Sequence, residues 1–156
     1  MVQPFDLCAR LANGYRARLK MLPLPHTTQN LAILQILLQN GLVSQITRGT
    51  VNGADPVQWA SAPERARRIW IGLKYRDDQP VLTHAEVISK PSKWQRVEVS
   101  DIRRLCSGKM SKFVKPLGLG EVAVVKHVDD RHHTHWLEAR EALRQNVGGE
   151  LLCRMR

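Results

Sequence analysis

The sequence is poor in several features, and each shortage excludes a class of protein. Its longest apolar run, residues 31–38, is interrupted by Gln35. The run is far shorter than a bilayer span, so no transmembrane segment is predicted. Aromatic residues make up only 5% of the chain, which predicts a mainly aliphatic core. The three cysteines, Cys8, Cys106 and Cys153, have no metal-like spacing, and their odd number indicates free thiols in a reducing compartment.

Acidic residues are also scarce relative to basic ones. Lysine and arginine number 24 against 14 aspartates and glutamates, for a net charge of +10 and a pI near 10.2. Such an excess suits a polyanionic partner, because each neutralised phosphate releases condensed counterions. Charge alone leaves nucleic acid, membrane surfaces and acidic proteins as alternatives. Hydrophobic residues make up 43% of the chain, enough for a packed interior.

The first 20 residues carry four basic residues against Asp6 alone. This balance is compatible with a mitochondrial targeting helix, although serine is absent. The alternative, which we favour, is a basic first helix of the fold itself. Leu7, Leu11 and Tyr15 recur at helical spacing, and we expect Asn13-Gly14 to loosen or end this helix.

The remaining pattern mixes helices and strands. An extended segment around Pro23 and Pro25 precedes a helix that Thr27 or Thr28 can cap and Gly41 can end. Residues 48–66, rich in glycine and proline, are predicted to be a loop or insertion. Strands are predicted at residues 42–47, 69–75, 81–88, 95–99, 122–125 and 150–153, with 69–75 pairing with 81–88 and with helices at 101–106 and 136–144.

These elements predict an α/β (α+β) fold with two small mixed domains. Residues 1–89 form the expected N-terminal domain, of the order α-β-α-β-β. Residues 90–156 form the expected C-terminal domain, which is β-rich with a short helix. The best candidate linker is the segment 89–93, of sequence Ser-Lys-Pro-Ser-Lys.

The positive charge is concentrated just after this linker. The window 90–115 contains two acidic residues, Glu98 and Asp101, and eight basic ones: Lys90, Lys93, Arg96, Arg103, Arg104, Lys109, Lys112 and Lys115. Long cationic side chains beside glycine and serine turns are typical of phosphate contacts. A solvated charged face is the alternative, and the concentration favours RNA.

Four motifs in this order carry a family resemblance. They are Asp6 with Arg-Leu-Ala-Asn-Gly at 10–14, Pro25 with Asn-Gly-Leu-Val at 40–43, Ile-Ser-Lys-Pro-Ser at 88–92, and Ala-Arg-Glu-Ala at 139–142 with the Gly-Gly-Glu turn and closing strand through Cys153. With them the chain resembles the eighth protein of the small ribosomal subunit, in its bacterial and mitochondrial form. The resemblance spans almost the whole chain except residues 48–66. The compact form with extra loops resembles a mitochondrial, fungal version.

The resemblance implies a structural protein, not an enzyme, that binds the central domain of small-subunit rRNA and supports assembly and translation. Its implied partners are that rRNA and neighbouring small-subunit ribosomal proteins, with no membrane, no small-molecule substrate and no cofactor. The implied location is the mitochondrial ribosome in the matrix, with bacterial cytoplasm as the alternative. A non-ribosomal RNA-binding module is a second reading of the same charge pattern.

We expect the C-terminal domain to make the main RNA contact. The turn Gly148-Gly149-Glu150 should approach the rRNA backbone, with Glu150 accepting from a ribose hydroxyl. The full set of candidate RNA-binding residues is Asn13, Arg16, Arg18, Lys20, Thr27, Lys90, Ser92, Lys93, Lys109, Lys112, His133, Thr134, His135, Gly148, Gly149 and Glu150. Among the tryptophans, Trp70 is expected to face the core and Trp59 a protein partner. Trp94 is expected either to stack on a base or to pack the domain junction.

The loop before the last helix departs from the family pattern. The family has Ser-Thr-Ser-Lys-Gly there, whereas residues 126–135 are longer, contain four histidines and two aspartates, and keep Thr134 as their only hydroxyl. Histidine can stack on bases and donate to phosphates, so this loop can contact RNA by different chemistry. The same residue types are metal ligands, and a metal-dependent phosphoesterase using residues 127–135 is the enzymatic alternative.

Overall fold

A computed structural model describes residues 4–156, which divide into two compact units between His84 and Ala85. Both units mix helices with antiparallel strands, which confirms the predicted α/β (α+β) class. The predicted division at 89/90 assigned Ala85–Val87 to the first domain, whereas this strand pairs within the second unit. The domain assignment itself stays a prediction. No helix within residues 4–156 is long and apolar enough to span a membrane.

The first unit follows the expected α-β-α-β-β order, with a further helix in the insertion. Its elements are α1 (Pro4–Arg16), β1 (Met21–Pro25), α2 (Thr28–Gln39), β2 (Val43–Thr50), α3 (Pro56–Ser61), a 3₁₀ turn (Glu64–Ala66), β3 (Arg67–Leu73), β4 (Tyr75–Arg76) and β5 (Gln79–Pro80). The strands β1, β3 and β2 form an antiparallel sheet in that order, and β4 pairs with β5. Residues 48–66 are therefore partly ordered as the end of β2, α3 and the 3₁₀ turn.

Helix α1 belongs to the core of the first unit, because Leu7, Leu11 and Tyr15 are buried on one face. Asn13-Gly14 was expected to loosen or end this helix, and it does not end it, because α1 continues to Arg16. Gly14 is buried, and a Cβ there would lie 3.1 Å from the Leu22 side chain on β1. Glycine at this position therefore lets the helix pack closely against β1. The helix ends later, where Leu19 N donates to Gly14 O and Arg18 takes a φ of 54°.

The termini of α2 follow the sequence signals. The Thr27 side chain accepts a hydrogen bond from Asn30 N (3.1 Å) and caps the helix, as predicted. After Asn40, Gly41 takes a φ of 72°, the left-handed conformation that commonly ends a helix. On the neighbouring β3, Ile69 and Ile71 are fully buried, whereas Trp70 points to the other face and donates to Thr50 O (2.8 Å). The expectation that Trp70 faces the core is therefore wrong.

The second unit is a sheet with two helices on its strand connections. Its elements are β6 (Ala85–Val87), β7 (Arg96–Val97), α4 (Val99–Cys106), β8 (Val122–Val128), β9 (Thr134–Glu138), α5 (Ala139–Arg144) and β10 (Gly149–Met155). The sheet order is β6-β10-β8-β9, and β7 also pairs with β10. An aliphatic core that includes Val97, Ile102, Leu105, Val125 and Leu151 joins the helices to the sheet.

Two strand predictions are corrected by this topology. The predicted pairing of residues 69–75 with 81–88 is limited to their ends, where Tyr75 lies opposite Pro80 and Val81 N donates to Lys74 O (3.0 Å). The rest does not pair, because β3 lies between β1 and β2, and β6 pairs with β10. The supposed polar loop at 126–135 is largely a hairpin of β8 and β9, with Val125 opposite Leu137 and His127 opposite His135. Helix α5 consequently begins at Ala139 instead of Trp136, after the Glu138 side chain accepts from Arg140 N and Glu141 N.

Candidate nucleic-acid interface

A groove of about 630 Å³ lies in the second unit, where β7, β8 and β10 come together. The pairing places Gly149 opposite Val97, and Glu150 opposite both Arg96 and Lys126. The predicted turn Gly148-Gly149-Glu150 thus lines the groove. The other lining residues are Trp94, Arg96, Val97, Glu98, Val99, Lys112, Lys126, His127 and Val128. We call this the glycine groove.

The two glycines are required by the packing of the strands themselves. A Cβ on Gly149 would lie 2.2 Å from Lys126 O, and one on Gly148 would lie 2.7 Å from Val97 O. No side chain fits at those distances, so glycine lets β10 approach β7 and β8 closely. The expected reason for these glycines, close approach of an RNA backbone, is therefore not needed to explain their presence.

The rim of the glycine groove combines cations with an exposed aromatic ring. Arg96 on β7 is exposed and Lys126 on β8 is half-buried, and both lie opposite Glu150 of β10, which runs between these strands. Trp94 is 56% exposed, and its Nε1 donates to Pro91 O (3.2 Å), which fixes the indole ring at the groove. Cations with an aromatic face can hold phosphates and stack bases. Arg96 was recognised only as part of the charge window, and Lys126 and His127 were missed because they were assigned to a flexible loop.

Lys112 lines the groove but is bound within the protein. Its Nζ lies 2.7 Å from Asp101 Oδ2 and donates to Arg96 O (3.2 Å). Asp101 also accepts from Ser111 Oγ (2.7 Å) and Glu98 N (2.9 Å). Burial raises the pKa of Asp101, but the hydrogen bonds from Lys112, Glu98 and Ser111 outweigh it and lower the pKa to about 2. Lys112 therefore has an internal anion as its partner.

The predicted hinge forms a second, smaller groove of about 310 Å³, also in the second unit. Lys90 and Lys93 exchange backbone hydrogen bonds and enclose the exposed tip Pro91-Ser92. Buried Ser89 anchors this turn, because its hydroxyl accepts from Gln95 N (3.0 Å). Lys90, Lys93, Lys115 and Phe113 line the groove, which we call the lysine groove. Ser92 and Lys109 are exposed but line neither groove.

Two histidines of the β8–β9 hairpin, His127 and His135, have side-chain partners within the protein. His135 Nε2 lies 2.9 Å from Asp129 Oδ2, and His127 Nε2 lies 3.8 Å from Asp129 Oδ1. His127 Nδ1 donates to Gly148 O (2.7 Å), which ties the hairpin to the glycine groove. His133 is exposed and Thr134 half-buried near the tip. Within residues 4–156, no three histidine, cysteine, aspartate or glutamate side chains are placed to hold a metal ion.

Candidates in the first unit lie around the end of α1. Asn13, Arg16, Arg18 and Lys20 are all exposed there. Thr27 has a structural task, because its hydroxyl caps α2. Trp59 is half-buried, with the guanidinium carbons of Arg48 and Arg67 each 4.6 Å from its ring centroid. Its expected contact with a protein partner stays a prediction.

The cysteines provide no activated nucleophile within the described chain. None of the three forms a disulfide within the described chain, and Cys8 and Cys153 are buried. Burial raises the pKa of the Cys106 thiol, against a smaller lowering by Arg140. A reactive thiol needs the opposite shift. Arg103 and Arg104, its basic neighbours in sequence, are therefore not thiol activators.

The structure is thus that of a basic protein of two mixed α/β units, with cations lining two grooves and a glycine-rich turn in one of them. A model of the family described as ribosomal protein S8 matches residues 5–114. The chain belongs to this family, and it is a structural component of the small ribosomal subunit.

Individual relatives extend the match to nearly the full chain. The small ribosomal subunit protein uS8m of Neurospora crassa is 36% identical over 97% of this chain and 96% of its own length. The uS8m protein of Schizosaccharomyces pombe is 29% identical, over 95% of both chains. The uS8 protein of the bacterium Roseiflexus castenholzii is 31% identical over 95% of this chain and 92% of its own. The match to fungal uS8m proteins confirms the predicted mitochondrial type.

Proposed function

We propose that this chain binds the central domain of small-subunit rRNA, supports assembly of the subunit and translation, and has no catalytic activity. The observation that carries the proposal is the glycine groove. It joins a backbone turn, two cations on the strands that flank β10 and an exposed indole in one concave surface. Phosphate contacts position a protein on RNA, and aromatic rings stack its unpaired bases. The net charge of +10 supports the same partner.

We assign the contacts by chemistry. The backbone of Gly148 and Gly149 and the Glu150 carboxylate face a ribose in the glycine groove, whereas Lys90, Ser92 and Lys93 contact phosphates at the hinge. Further contacts from the second unit are made by Lys109, Lys112, His133, Thr134 and His135. Asn13, Arg16, Arg18, Lys20 and Thr27 are secondary contacts from the first unit. Lys112 is the weakest of the lysines, because Asp101 already neutralises it.

The proposed setting is the mitochondrial ribosome in the matrix, beside other small-subunit ribosomal proteins. This proposal is supported by the similarity to the uS8m proteins of two fungi over nearly the whole chain.

The RNA proposal is tested by equilibrium binding of the full chain to a transcript of the small-subunit central domain, with a large-subunit rRNA transcript as competitor. Lys93→Glu should weaken binding, and the slope of log affinity against log salt should fall by about one. Lys74→Glu makes the same charge change in the first unit, where Lys74 Nζ donates to Gly41 O. That control should have a clearly smaller effect. Equal affinity of the wild type for both transcripts would contradict the proposal.

A second test identifies the RNA that the protein binds in the cell. Crosslinking followed by sequencing of the attached RNA should recover small-subunit rRNA as one compact region. Recovery of dispersed messenger RNA would instead support a non-ribosomal RNA-binding module and reject the central-domain assignment.

A further inference from the structure

Phe113 lies almost entirely outside the fold, with 89% of its surface exposed. It sits at the tip of a tight turn in which Ser111 and Val114 exchange backbone hydrogen bonds of 3.2 and 2.8 Å. The two tip residues have positive φ, 45° for Lys112 and 65° for Phe113. Such turns normally take asparagine and glycine, because larger side chains are strained there. The chain thus keeps a bulky aromatic residue where neither exposure nor backbone preference favours it.

The turn that presents Phe113 is anchored on both sides of the ring. Ser111 Oγ and Lys112 Nζ each lie 2.7 Å from the carboxylate of Asp101, which is 9% exposed on α4. Val114 is buried in the core of the second unit. These contacts direct Ser111, Lys112 and Val114 toward the protein and leave Phe113 pointing away from it. Strain held by the surrounding structure is a feature of binding sites.

Cations surround the exposed ring. Lys93 Nζ lies 5.8 Å from the centroid of the ring, and Lys90, Lys93 and Lys115 line the lysine groove together with Phe113. Arg154 reaches the same groove but is committed to buried Glu121, with an N–O distance of 2.6 Å. Glu86 is the acidic residue in the lining. The three lysines remain as a cationic rim beside an aromatic face.

We propose that Phe113 is a stacking platform for an unpaired RNA base, whose flanking phosphates are neutralised by Lys90, Lys93 and Lys115. The site rests on the RNA-binding role proposed above and adds to it a recognition of single-stranded nucleotides. An apolar protein partner would bury several exposed hydrophobic side chains together. Here the other apolar residues of the groove, Val87, Ile88 and Val114, are half-buried or buried, and the exposed lining beside the ring is charged: Glu86, Lys90, Lys93 and Lys115. A planar base with anionic phosphates on both sides complements that arrangement in shape and in charge.

The test compares Phe113→Ala, Phe113→Leu and Phe113→Tyr in the full chain, with binding measured to the small-subunit central-domain transcript and to single-stranded oligouridylate. Alanine and leucine should each reduce affinity roughly 5- to 100-fold, the loss expected for one stacked base, and tyrosine should restore it. The salt slope should not change, because no charge is removed. Ultraviolet crosslinking of the wild-type complex should attach a nucleotide to the peptide that contains Phe113.

Leu119→Ala is the matched control, because Leu119 is fully exposed in the same unit on a different loop. It should leave affinity unchanged, and an equal loss there would overturn the assignment to Phe113. Full binding by Phe113→Leu would indicate an apolar contact instead of stacking and would also overturn it. If the wild type binds the transcript and Phe113→Ala binds equally well, only the stacking site fails. If the wild type does not bind RNA, the proposed function fails first.

Discussion

At the scale of single residues, one buried carboxylate organises the cationic surface of the second unit. Asp101 accepts hydrogen bonds from Ser111, Lys112 and the backbone of Glu98, and so joins α4 to the turn that presents Phe113. A buried carboxylate stabilises the fold when its hydrogen-bond donors are all present, and an unpaired buried charge is costly. Lys112 consequently stabilises the structure of this surface as well as adding to its positive charge.

Replacing Asp101 by asparagine should lower the free energy of unfolding by about 1–3 kcal/mol at neutral pH, because the network loses its charge-assisted bonds. The pKa of Asp101 is lowered from 3.8 to about 2 in the folded state. Its stabilisation is therefore complete above pH 3.8 and is lost as the pH falls towards 2. Urea unfolding at pH 7, 4 and 2.5 measures both effects.

Exposed Asp130 supplies the control for this experiment. Asp130→Asn should leave the free energy of unfolding within about 0.5 kcal/mol of the wild type at each pH. If wild type and Asp101→Asn lost stability in parallel between pH 4 and 2.5, Asp101 would not be the group responsible.

At the scale of secondary-structure elements, β10 can approach β8 closely because residue 149 is glycine. Gly149→Ala would place a Cβ 2.2 Å from Lys126 O, so β10 or β8 must move. We expect a loss of about 1–3 kcal/mol in unfolding free energy, as for other overpacked sites. Gly118→Ala is the control, because its Cβ would meet only Glu121 Oε2, at 3.5 Å. Thermal unfolding of both variants would decide, and equal melting temperatures would show that the strands absorb the methyl group.

The elements also show what local sequence can and cannot predict. The limits of α2 were predictable because Thr27 and Gly41 act within one helical turn. The β8–β9 hairpin was missed because Lys126, His127 and Thr134 are polar and hide the alternation of apolar residues that predicts a strand. The strand β6 lies within the predicted strand 81–88, but its partner was missed because it pairs with Cys153–Met155 at the far end of the chain.

The candidate site likewise contains residues that the sequence identified and contacts that it could not show. The family motif identified Gly148-Gly149-Glu150, and the charge window identified Lys90 and Lys93, all of which line grooves. Sequence could not show that Asp101 binds Lys112, nor that Lys126 on β8 lies opposite Glu150 on β10. The first contact depends on how the turn Ser111–Val114 packs against α4, and the second on register between distant strands; a charge count contains neither.

At the scale of the whole molecule, the second unit contains what an independent domain requires. All of its strands pair within the unit, in the order β6-β10-β8-β9 with β7 also on β10, and its core contains side chains from α4, α5 and the strands. We therefore predict that a fragment of residues 85–156 folds alone with native secondary structure. So small a unit should be only marginally stable, by roughly 3–5 kcal/mol.

Circular dichroism, dispersion of amide proton resonances and urea unfolding of this fragment test the prediction. A fragment of residues 90–156, cut at the boundary expected from sequence, is the matched control. It lacks β6, which pairs with Cys153–Met155, so it should be less stable or unfolded. Equal stability of the two fragments would show that β6 contributes nothing to the second unit and would favour the boundary at 89/90. If both fragments are unfolded, the second unit needs residues before Ala85 to fold, and the division into two domains is rejected.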